Sequence, residues 1–389
     1  MRERAEMRIL WTVAIIAMSV GVVKVAPGAS SYSITDLGSL GGTSSRAYGI
    51  NDLGQVVGRS APPTVITSHA FLYDNGVMSD LGTLGGNYAA AWAINDSGVI
   101  VGQSRASDIA YSPRQAFSYS NGVMAYLGQG LDWNTWTESY AISVNSSGQV
   151  VGYRNYKTSD FPLFPPPDTR ATGFIYSGES MTMLSPPPGY NSTEALGIND
   201  SGQIVGVYWD TGFTYPDEVY AFTYSNGVYT RIASGARADT AYYQDGAFDI
   251  NNHGDVIGIV GGYWSDLPET AFVYRNGETT YLGTEFRCFA INDAGLIVGA
   301  TYSTEAGAYA ATLYQDGQFI DLTATIQDNP GWTLTRAADI NNVGQIVGYG
   351  YSPSGAVHGF LLNPVPEPTV GALLALGTLA TLLRKRLRH

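Results

Sequence analysis

The chain has 389 residues, including 47 glycines and 27 tyrosines, and only 14% of its residues are charged. This composition favours short strands joined by tight turns over long helices, and the 44% hydrophobic content excludes a globally disordered chain. The formal net charge is −13, although eight of the 20 basic residues lie in the first 30 or the last six positions. The body between these ends is strongly acidic, so it would repel phosphates, and we expect no nucleic-acid partner.

Cys288 is the only cysteine of the chain. This excludes an intramolecular disulfide and a cysteine-based zinc site. A large hydrophobic core must therefore stabilise the fold.

Residues 1–30 have the features of a secretory signal peptide. Arg2, Arg4 and Arg8 precede an apolar stretch at 9–23, and small residues at 28–30 form a cleavage site. We therefore expect this segment to direct export. An uncleaved membrane anchor is the alternative.

Residues 31–363 contain seven copies of a ten-residue motif, of which the first is GINDLGQVVG at 49–58. The motif begins with a small residue, Ile or Val, Asn and a short polar residue. Its fifth and seventh positions are variable, Gly stands at the sixth and tenth positions, and two aliphatic residues that favour β-strands lie between. The copies recur every 41 to 54 residues. Asn folds its side chain back onto the local backbone and Gly takes a positive φ, so each motif predicts a tight turn between two strands. The expected structural turn residues are Asn51, Asn95, Asn145, Asn199, Asn251, Asn292 and Asn341.

A second motif follows each copy and predicts two further strands. Six copies carry alternating apolar residues that run into a turn, as in residues 70–76, AFLYDNG, and a short apolar segment leaves that turn. Asn-Gly between alternating apolar residues is a strong hairpin signal. Four strands in 40 to 50 residues are typical of a β-propeller blade.

The two ends of the repeat region complement each other. The seventh repeat stops after its third strand at 359–363, and residues 32–38 match the fourth-strand segment of the first repeat. We therefore predict an all-β, seven-bladed propeller whose N-terminal strand closes the last blade and removes the exposed sheet edges. An open β-solenoid or two half-domains are the alternatives.

Residues 364–389 read as a sorting tail. A Val365-Pro366-Glu367-Pro368 motif precedes the apolar segment 369–383, which is short for a comfortable bilayer span. The basic end, which would stay on the cytoplasmic side, comprises Arg384, Lys385, Arg386 and Arg388. An ordinary C-terminal membrane anchor is the alternative reading.

This tail resembles the PEP-CTERM sorting signal in its motif, its short hydrophobic helix and its basic end. The resemblance implies recognition and cleavage near the motif by an exosortase, a transpeptidase-like membrane enzyme. It also implies a Gram-negative-type bacterium that makes an exopolysaccharide matrix, with the protein anchored only transiently in the inner membrane before it reaches the cell surface or matrix.

The repeats resemble the bacterial extracellular HAF family. Residues 68–73, SHAFLY, and residues 80–86, DLGTLGG, carry this resemblance, which spans most of residues 36–363. Only the first repeat keeps the histidine of the motif, so we expect no shared chemical role for His69. The family implies little about activity.

The longer connections and their aromatic residues are the expected binding region. In a four-stranded blade the second-to-third and blade-to-blade connections share one face, and loops on a rigid scaffold commonly carry binding sites. The aromatic rings in these connections suit stacking on sugar rings. The alternative is that these rings are buried between the blades. The candidate ligand-binding residues are Trp92, Trp133, Trp136, Trp209, Trp264 and Trp332.

No catalytic or metal-binding residues are assigned, and no cofactor is expected. The four histidines are scattered, no nucleophile motif is present, and each Asn-containing turn offers at most one carboxylate, whereas Ca²⁺ needs six to eight oxygens. The preferred hypothesis is a non-catalytic surface or matrix propeller that binds exopolysaccharide or a surface protein. A carbohydrate-active hydrolase or lyase and a structural spacer are the alternatives, because a glycosidase carboxylate pair is defined only in space.

Overall fold

The computed structural model of the protein describes residues 31–63, 67–109, 112–128, 138–157, 169–210, 219–235, 246–261, 269–304 and 307–365. Within these residues, 32–364 form one compact unit of seven four-stranded antiparallel sheets. The expected signal segment at 1–30 and the sorting tail beyond residue 365 lie outside the described residues. Searching the described ranges for a helix long and apolar enough to cross a membrane finds none.

Each blade takes its four strands in chain order from the inside outwards. Blade 1 contains β2 (Ser45–Ile50), β3 (Val56–Ser60), β4 (His69–Asp74) and β5 (Val77–Gly82). Blade 2 contains β6 (Ala89–Ile94), β7 (Ile100–Arg105), β8 (Arg114–Ser120) and β9 (Val123–Tyr126). Blade 3 contains β10 (Glu138–Val144), β11 (Val150–Lys157), β12 (Thr169–Ser177) and β13 (Ser180–Leu184). Blade 4 contains β14 (Ser192–Ile198), β15 (Ile204–Trp209), β16 (Val219–Ser225) and β17 (Val228–Gly235).

The remaining three blades follow the same order. Blade 5 contains β18 (Gly246–Ile250), β19 (Val256–Val260), β20 (Thr270–Arg275) and β21 (Glu278–Gly283). Blade 6 contains β22 (Phe286–Ile291), β23 (Ile297–Ser303), β24 (Ala308–Gln315) and β25 (Gln318–Asp321). Blade 7 contains β26 (Thr333–Ile340), β27 (Ile346–Tyr351) and β28 (Val357–Pro364), and β1 (Tyr32–Asp36) pairs with β28 as its outermost strand.

The closure predicted from the two chain ends is confirmed. Strand β1 runs antiparallel to β28 with Ile34 opposite Leu362, and Tyr32 and Leu37 are buried against the last blade. The innermost strands of blades 1 and 7 also contact each other, so the seven blades form a closed ring. The propeller prediction is therefore correct, and the open solenoid and two half-domains are excluded for the body.

The turn and strand chemistry of blade 1 shows how the repeat specifies each blade. Val56 and Val57 are both fully buried, because β3 is covered by neighbouring blades on both of its faces. Asn75 and Gly76 have φ values of 49° and 86°, the paired positive φ of a two-residue hairpin turn.

A phenylalanine in the third strand fills the interior of six blades, in each case completely buried. Blade 6 carries Thr312 at this position instead. There Phe286 of β22 supplies the ring, and it is the side chain that a Cβ on Gly299 would meet. Blade 6 therefore also has an aromatic ring beside the glycine of its second strand, but this ring comes from the first strand instead of the third. The six phenylalanines are Phe71, Phe117, Phe174, Phe222, Phe272 and Phe360.

One element departs from the repeat pattern. Helix α1 (Leu322–Thr325) follows β25 and leads towards blade 7, and Asp321 caps it by accepting a hydrogen bond from the Thr323 amide at 2.8 Å. Leu322 is fully buried in the cluster that also holds Trp332 and Leu334. This single turn therefore fills the contact between blades 6 and 7.

Candidate functional site

Seven asparagines form a closed hydrogen-bonded ring around the propeller axis. The amide nitrogen of each donates to the backbone carbonyl of the equivalent asparagine in the next blade, as from Asn51 to Asn95 at 3.1 Å, and Asn341 closes the ring onto Asn51 at 2.9 Å. The amide oxygen meanwhile accepts within its own turn, as from Gln55 N at 2.9 Å. The predicted turn residues thus also connect neighbouring blades. The other five links join Asn95 to Asn145, Asn145 to Asn199, Asn199 to Asn251, Asn251 to Asn292 and Asn292 to Asn341.

The residues that follow these asparagines make a second ring at the same end of the axis. Carboxylate or amide oxygens accept from the backbone of the preceding blade, as Asp96 accepts from Asp52 N at 2.9 Å and Asn342 accepts from Asp293 N at 2.9 Å. They line a shallow polar opening of about 200 Å³. Within the described ranges, no group of three or more His, Cys, Asp or Glu side chains is placed to hold a metal ion.

A β-bulge in every innermost strand places one side chain in the axial channel. The register shifts by one residue at the same point of each blade, as between Ala47 and Gly49 and between Ala91 and Ala93. A bulge leaves one residue unpaired and re-aims its side chain. The seven bulge residues are Tyr48, Trp92, Ile142, Leu196, Phe248, Phe289 and Ala338.

These bulge residues line a cavity of about 490 Å³. The cavity lies on the side of the bulges that leads towards the interblade and second-to-third strand connections, away from the asparagine ring. The motif that identified the repeats starts one residue after each bulge, so sequence reasoning missed six of the seven. The large apolar residue two positions before most Ile-Asn pairs was the available signal. The remaining lining residues are Gln103, Tyr140, Tyr153, Ile259, Glu269, Arg287 and Arg336.

Two aromatic pairs form much of the cavity wall. The rings of Tyr48 and Trp92, from adjacent blades, lie 4.6 Å apart between centroids at a tilt of 30°. Tyr140 and Tyr153 stack at 4.8 Å within blade 3. Burial raises the pKa of Tyr48 and, with the nearby carboxylate of Glu138, raises that of Tyr140, so both phenols stay neutral donors. Such a wall offers flat apolar faces with hydroxyl groups at their edges.

Charged residues interrupt this wall on one side. The guanidinium of Arg287 makes a two-point contact with Glu269, with Nε and Nη2 at 2.8 and 2.9 Å from its two carboxylate oxygens. The guanidinium of Arg336 lies 3.6 Å from the ring centroid of Phe289. Burial lowers the pKa of Arg336, although electrostatic interactions with the Tyr349 and Tyr48 side chains and a hydrogen bond with Tyr349 partly offset this effect. One arginine is therefore neutralised by a carboxylate and the other is held by aromatic rings.

Three polar atoms of the lining have no hydrogen-bond partner within the described part of the chain. They are Trp92 Nε1, Gln103 Oε1 and Arg336 Nε, and each atom is buried. Gln103 is only 4% exposed, and its amide nitrogen makes one long contact of 3.4 Å to the Tyr88 hydroxyl. Buried polar atoms without partners are costly, so each of these three would be stabilised by a polar partner.

The structure does not gather the six candidate tryptophans on one loop face. Trp92 lies in the innermost strand β6 and lines the cavity, rather than in a long connection as expected. Trp209 and Trp332 are 7% and 4% exposed and pack between blades, so the alternative of burial describes both. Trp133, Trp136 and Trp264 lie outside the described residues.

The expectation that only the first repeat keeps its histidine is wrong. His358 of β28 occupies the place of His69 of β4, because each lies two residues before the buried phenylalanine that pairs with a glycine of the second strand. His69 Nδ1 lies 2.9 Å from Asp80, and His358 Nδ1 lies 3.0 Å from Asp36 on the outermost strand. Both pairs lie on the two outer strands of their blades, where they join the third strand to the fourth.

Cys288 is buried in the blade 6 core, with its thiol 3.1 Å from the Gly258 carbonyl oxygen. Burial raises the pKa of this thiol to about 12. The side chain therefore behaves as a neutral core residue at physiological pH.

No protein-family model matches the chain, and no curated protein matches it. Solved structures do resemble it. An acylaminoacyl peptidase from Pyrococcus horikoshii matches with a TM-score of 0.51 at 11% identity, over 82% of this chain and 52% of that one. The chain thus spans about half the length of that peptidase.

Two further enzymes resemble the structure more weakly. A sialidase from Trypanosoma rangeli matches with a TM-score of 0.42 at 9% identity, over 82% of this chain and 60% of that one. A gluconolactonase from Xanthomonas campestris matches with a TM-score of 0.37 at 13% identity, over 89% and 99% of the two chains. The identity of 11% to the peptidase shows a shared fold alone, because one fold hosts many unrelated functions.

Proposed function

We propose that the protein is an exported, non-catalytic propeller that binds an extracellular polysaccharide in its axial cavity. The observation that carries this proposal is the cavity of about 490 Å³ with the Tyr48–Trp92 and Tyr140–Tyr153 pairs in its wall. Ligand sites are commonly concave and mostly apolar with a few convergent polar groups. Here flat rings provide stacking faces for sugar units, and the unpartnered atoms of Trp92 and Gln103 provide hydrogen bonds.

Binding is favoured over hydrolysis by the state of the cavity's carboxylate. Glu269 is the one Asp or Glu among the described residues that line the cavity, and both of its carboxylate oxygens accept hydrogen bonds from Arg287. Glycoside hydrolysis commonly needs a protonated carboxyl group and a second carboxylate across the scissile bond. Hydrolase or lyase activity and a pure spacer role are outcomes of the test below.

The cellular side of the proposal rests on the chain ends. The basic and apolar segment at 1–30 directs export, and the 365–368 motif with the basic tail directs sorting by an exosortase, with transient inner-membrane anchoring on the way to the surface or matrix. Fractionating source cells that carry Ala at positions 366–368 tests this step. Unprocessed protein retained in the inner membrane is expected, and unchanged processing contradicts the sorting role.

The binding proposal is tested by titrating the full-length protein with exopolysaccharide from the source organism while reading tryptophan fluorescence and reducing sugar. We expect saturable binding, a fluorescence change and no product. Trp92→Ala should weaken binding roughly 10-fold through loss of the stacking face. Trp92→Phe should keep most of the affinity and lose the fluorescence change.

Trp332→Phe is the matched control, because Trp332 is a buried tryptophan away from the cavity lining. It should keep both the affinity and the fluorescence change. Sugar release by the native protein would replace the binding role by a catalytic one. Absence of any saturable interaction would leave a protein partner or a spacer role.

A further inference from the structure

Arginines occupy equivalent strand positions in three consecutive blades, and two of them, Arg287 and Arg336, line the cavity. The position in question lies two residues before the bulge residue of each innermost strand. In blades 6, 7 and 1 this position is occupied by Arg287, Arg336 and Arg46. These three blades are consecutive, so we call the set the arginine arc. The equivalent residues of the other four blades are Ala90, Tyr140, Glu194 and Gly246.

This arc stands out against the charge of the whole chain, which is −13. Arg287 is neutralised by Glu269, while Arg46 stacks 4.7 Å from the ring centroid of Tyr349. Arg336 sits between them in the ring of blades. Its guanidinium has no carboxylate within 4.0 Å among the described residues.

Arg336 carries an unused donor beside free space. Its Nε is buried and has no partner in the part of the chain that the structure describes. Ala338 is the smallest of the seven bulge residues and belongs to the same blade, so this side of the cavity is the least filled. A buried guanidinium without a counter-ion is costly, and an anion bound there would offset that cost.

The geometry points to a subsite for the carboxylate of an acidic sugar at the arginine arc, with Arg336 as its principal ligand; this inference rests on the proposed polysaccharide-binding function. A guanidinium presents Nε and Nη donors in a planar fork that matches a carboxylate with two parallel hydrogen bonds. Among the described lining residues, Arg336 is the one arginine without a carboxylate partner, and its single charge matches a carboxylate better than the nearly double charge of a phosphate monoester. The aromatic pairs of the cavity wall would hold neighbouring sugar units.

The test compares trigalacturonate with its fully methyl-esterified form, in which each carboxylate charge is removed by an added methyl group. Calorimetric titration of the full-length protein should give at least 10-fold tighter binding of the acid. Arg336→Gln should weaken binding of the acid roughly 10- to 100-fold, the range of a charge-assisted hydrogen bond, and leave binding of the ester unchanged. Arg336→Lys, which keeps the charge without the fork, should lie between these values.

Arg231→Gln is the matched control, because Arg231 also stacks on a tyrosine, at 3.7 Å from the Tyr220 ring centroid, and lies outside the cavity lining. It should leave both affinities unchanged. Equal binding of acid and ester, with no effect of Arg336→Gln, overturns the acidic subsite and leaves polysaccharide binding in place. Binding of neither probe overturns the acidic subsite, and the exopolysaccharide titration then decides the polysaccharide-binding role by itself. Unchanged binding of the ester shows that the Arg336 variants are folded.

Discussion

At the scale of single residues, the asparagine of each repeat serves two blades at once. Asn199 accepts from Gln203 N at 3.0 Å within its own turn and donates to the Asn251 carbonyl at 3.1 Å in the next blade. A carboxylate in its place would accept but not donate. The turn was predictable from the local pattern, whereas the bond to a residue 52 positions away depends on the ring.

Two aspartates take a related role one position before the isoleucine of the motif. Asp339 accepts from Ile50 N at 2.9 Å in blade 1 and from Ile340 N at 2.8 Å in its own strand. Asp249 makes the same pair of contacts with Ile291 and Ile250. Burial, as the largest effect, raises the pKa of Asp339 to about 8 and that of Asp249 to about 7.

These values predict that stability falls as pH rises. Between the ordinary pKa of 3.8 and about 8, Asp339 keeps its proton in the folded state and loses it in the unfolded state. Its stabilising contribution is therefore complete below pH 4 and is lost as pH rises through 8. Urea unfolding at pH 5 and pH 8.5 should show a lower midpoint at the higher pH.

Asp339→Asn isolates this effect. The amide does not titrate, so the difference between the two midpoints should be smaller in the variant. The variant should also be less stable at pH 5, because the amide oxygen accepts one of the two backbone bonds and the amide nitrogen cannot accept the other. Parallel pH dependence in both proteins would contradict the assignment.

At the scale of the strand, the repeated glycines have two distinct physical causes. Gly58, in the second strand, lies so close to the innermost strand that an added Cβ would stand 2.0 Å from the Arg46 carbonyl oxygen. Gly76, in the hairpin turn, has open space around it but a φ of 86°. The sequence shows only that Gly58 and Gly76 are glycines, and it does not distinguish the steric requirement at Gly58 from the conformational requirement at Gly76.

Replacing each by alanine should separate them. Gly58→Ala forces apart two paired strands and should destabilise the protein by at least about 3 kcal/mol. Gly76→Ala should cost only about 1 kcal/mol, the price of a positive φ for a residue with a Cβ. Thermal or urea unfolding of the two variants measures both, and equal losses would contradict the steric argument.

The bulges are the strand feature that sequence reasoning did not detect. A bulge changes the side of the sheet on which one side chain lies. The residues before and after each bulge in this chain are typical strand residues, so these flanking residues carry no sign of the bulge. Tyr48 and Trp92 are thus apolar residues in apolar strands by sequence, and only the extra unpaired residue turns them into the axial channel. The prediction of aromatic binding residues was therefore attached to the long connections instead.

At the scale of the whole molecule, stability depends on joining the two ends of the ring. Strand β1 pairs with β28 across more than 300 positions of sequence, and Ser33 lies directly opposite Asn363. A ring closed by strand pairing can open there without breaking a peptide bond. Closure of the ring is therefore the least local step in forming the fold.

A covalent link at this point should stabilise the closed ring. In the double variant Ser33→Cys, Asn363→Cys the paired register brings the two Cβ atoms within disulfide range. Oxidation should raise the melting temperature, because the link constrains the unfolded chain over a very long loop. The single variant Ser33→Cys is the control, and failure of the double variant to cross-link under oxidising conditions would contradict the register.

The sequence by itself determined the seven blades, the order of their strands, the turns and the closing strand. Each of these depends on patterns a few residues long, namely alternation of apolar residues, Asn-Gly chemistry and the match between 32–38 and a fourth-strand segment. Such patterns act through local backbone geometry, so they can be read without the fold. The seven copies of the motif repeat the same prediction along the chain.

The tertiary structure alone decided where ligand-binding chemistry is concentrated. The cavity takes one side chain from each innermost strand, so neighbours such as Arg287, Phe289 and Arg336 meet although they lie up to 49 residues apart. It also decided that Trp209 and Trp332 are buried while Trp92 faces the channel. The physical reason is that the axis is built by ring closure, and no local pattern records which side chains converge there.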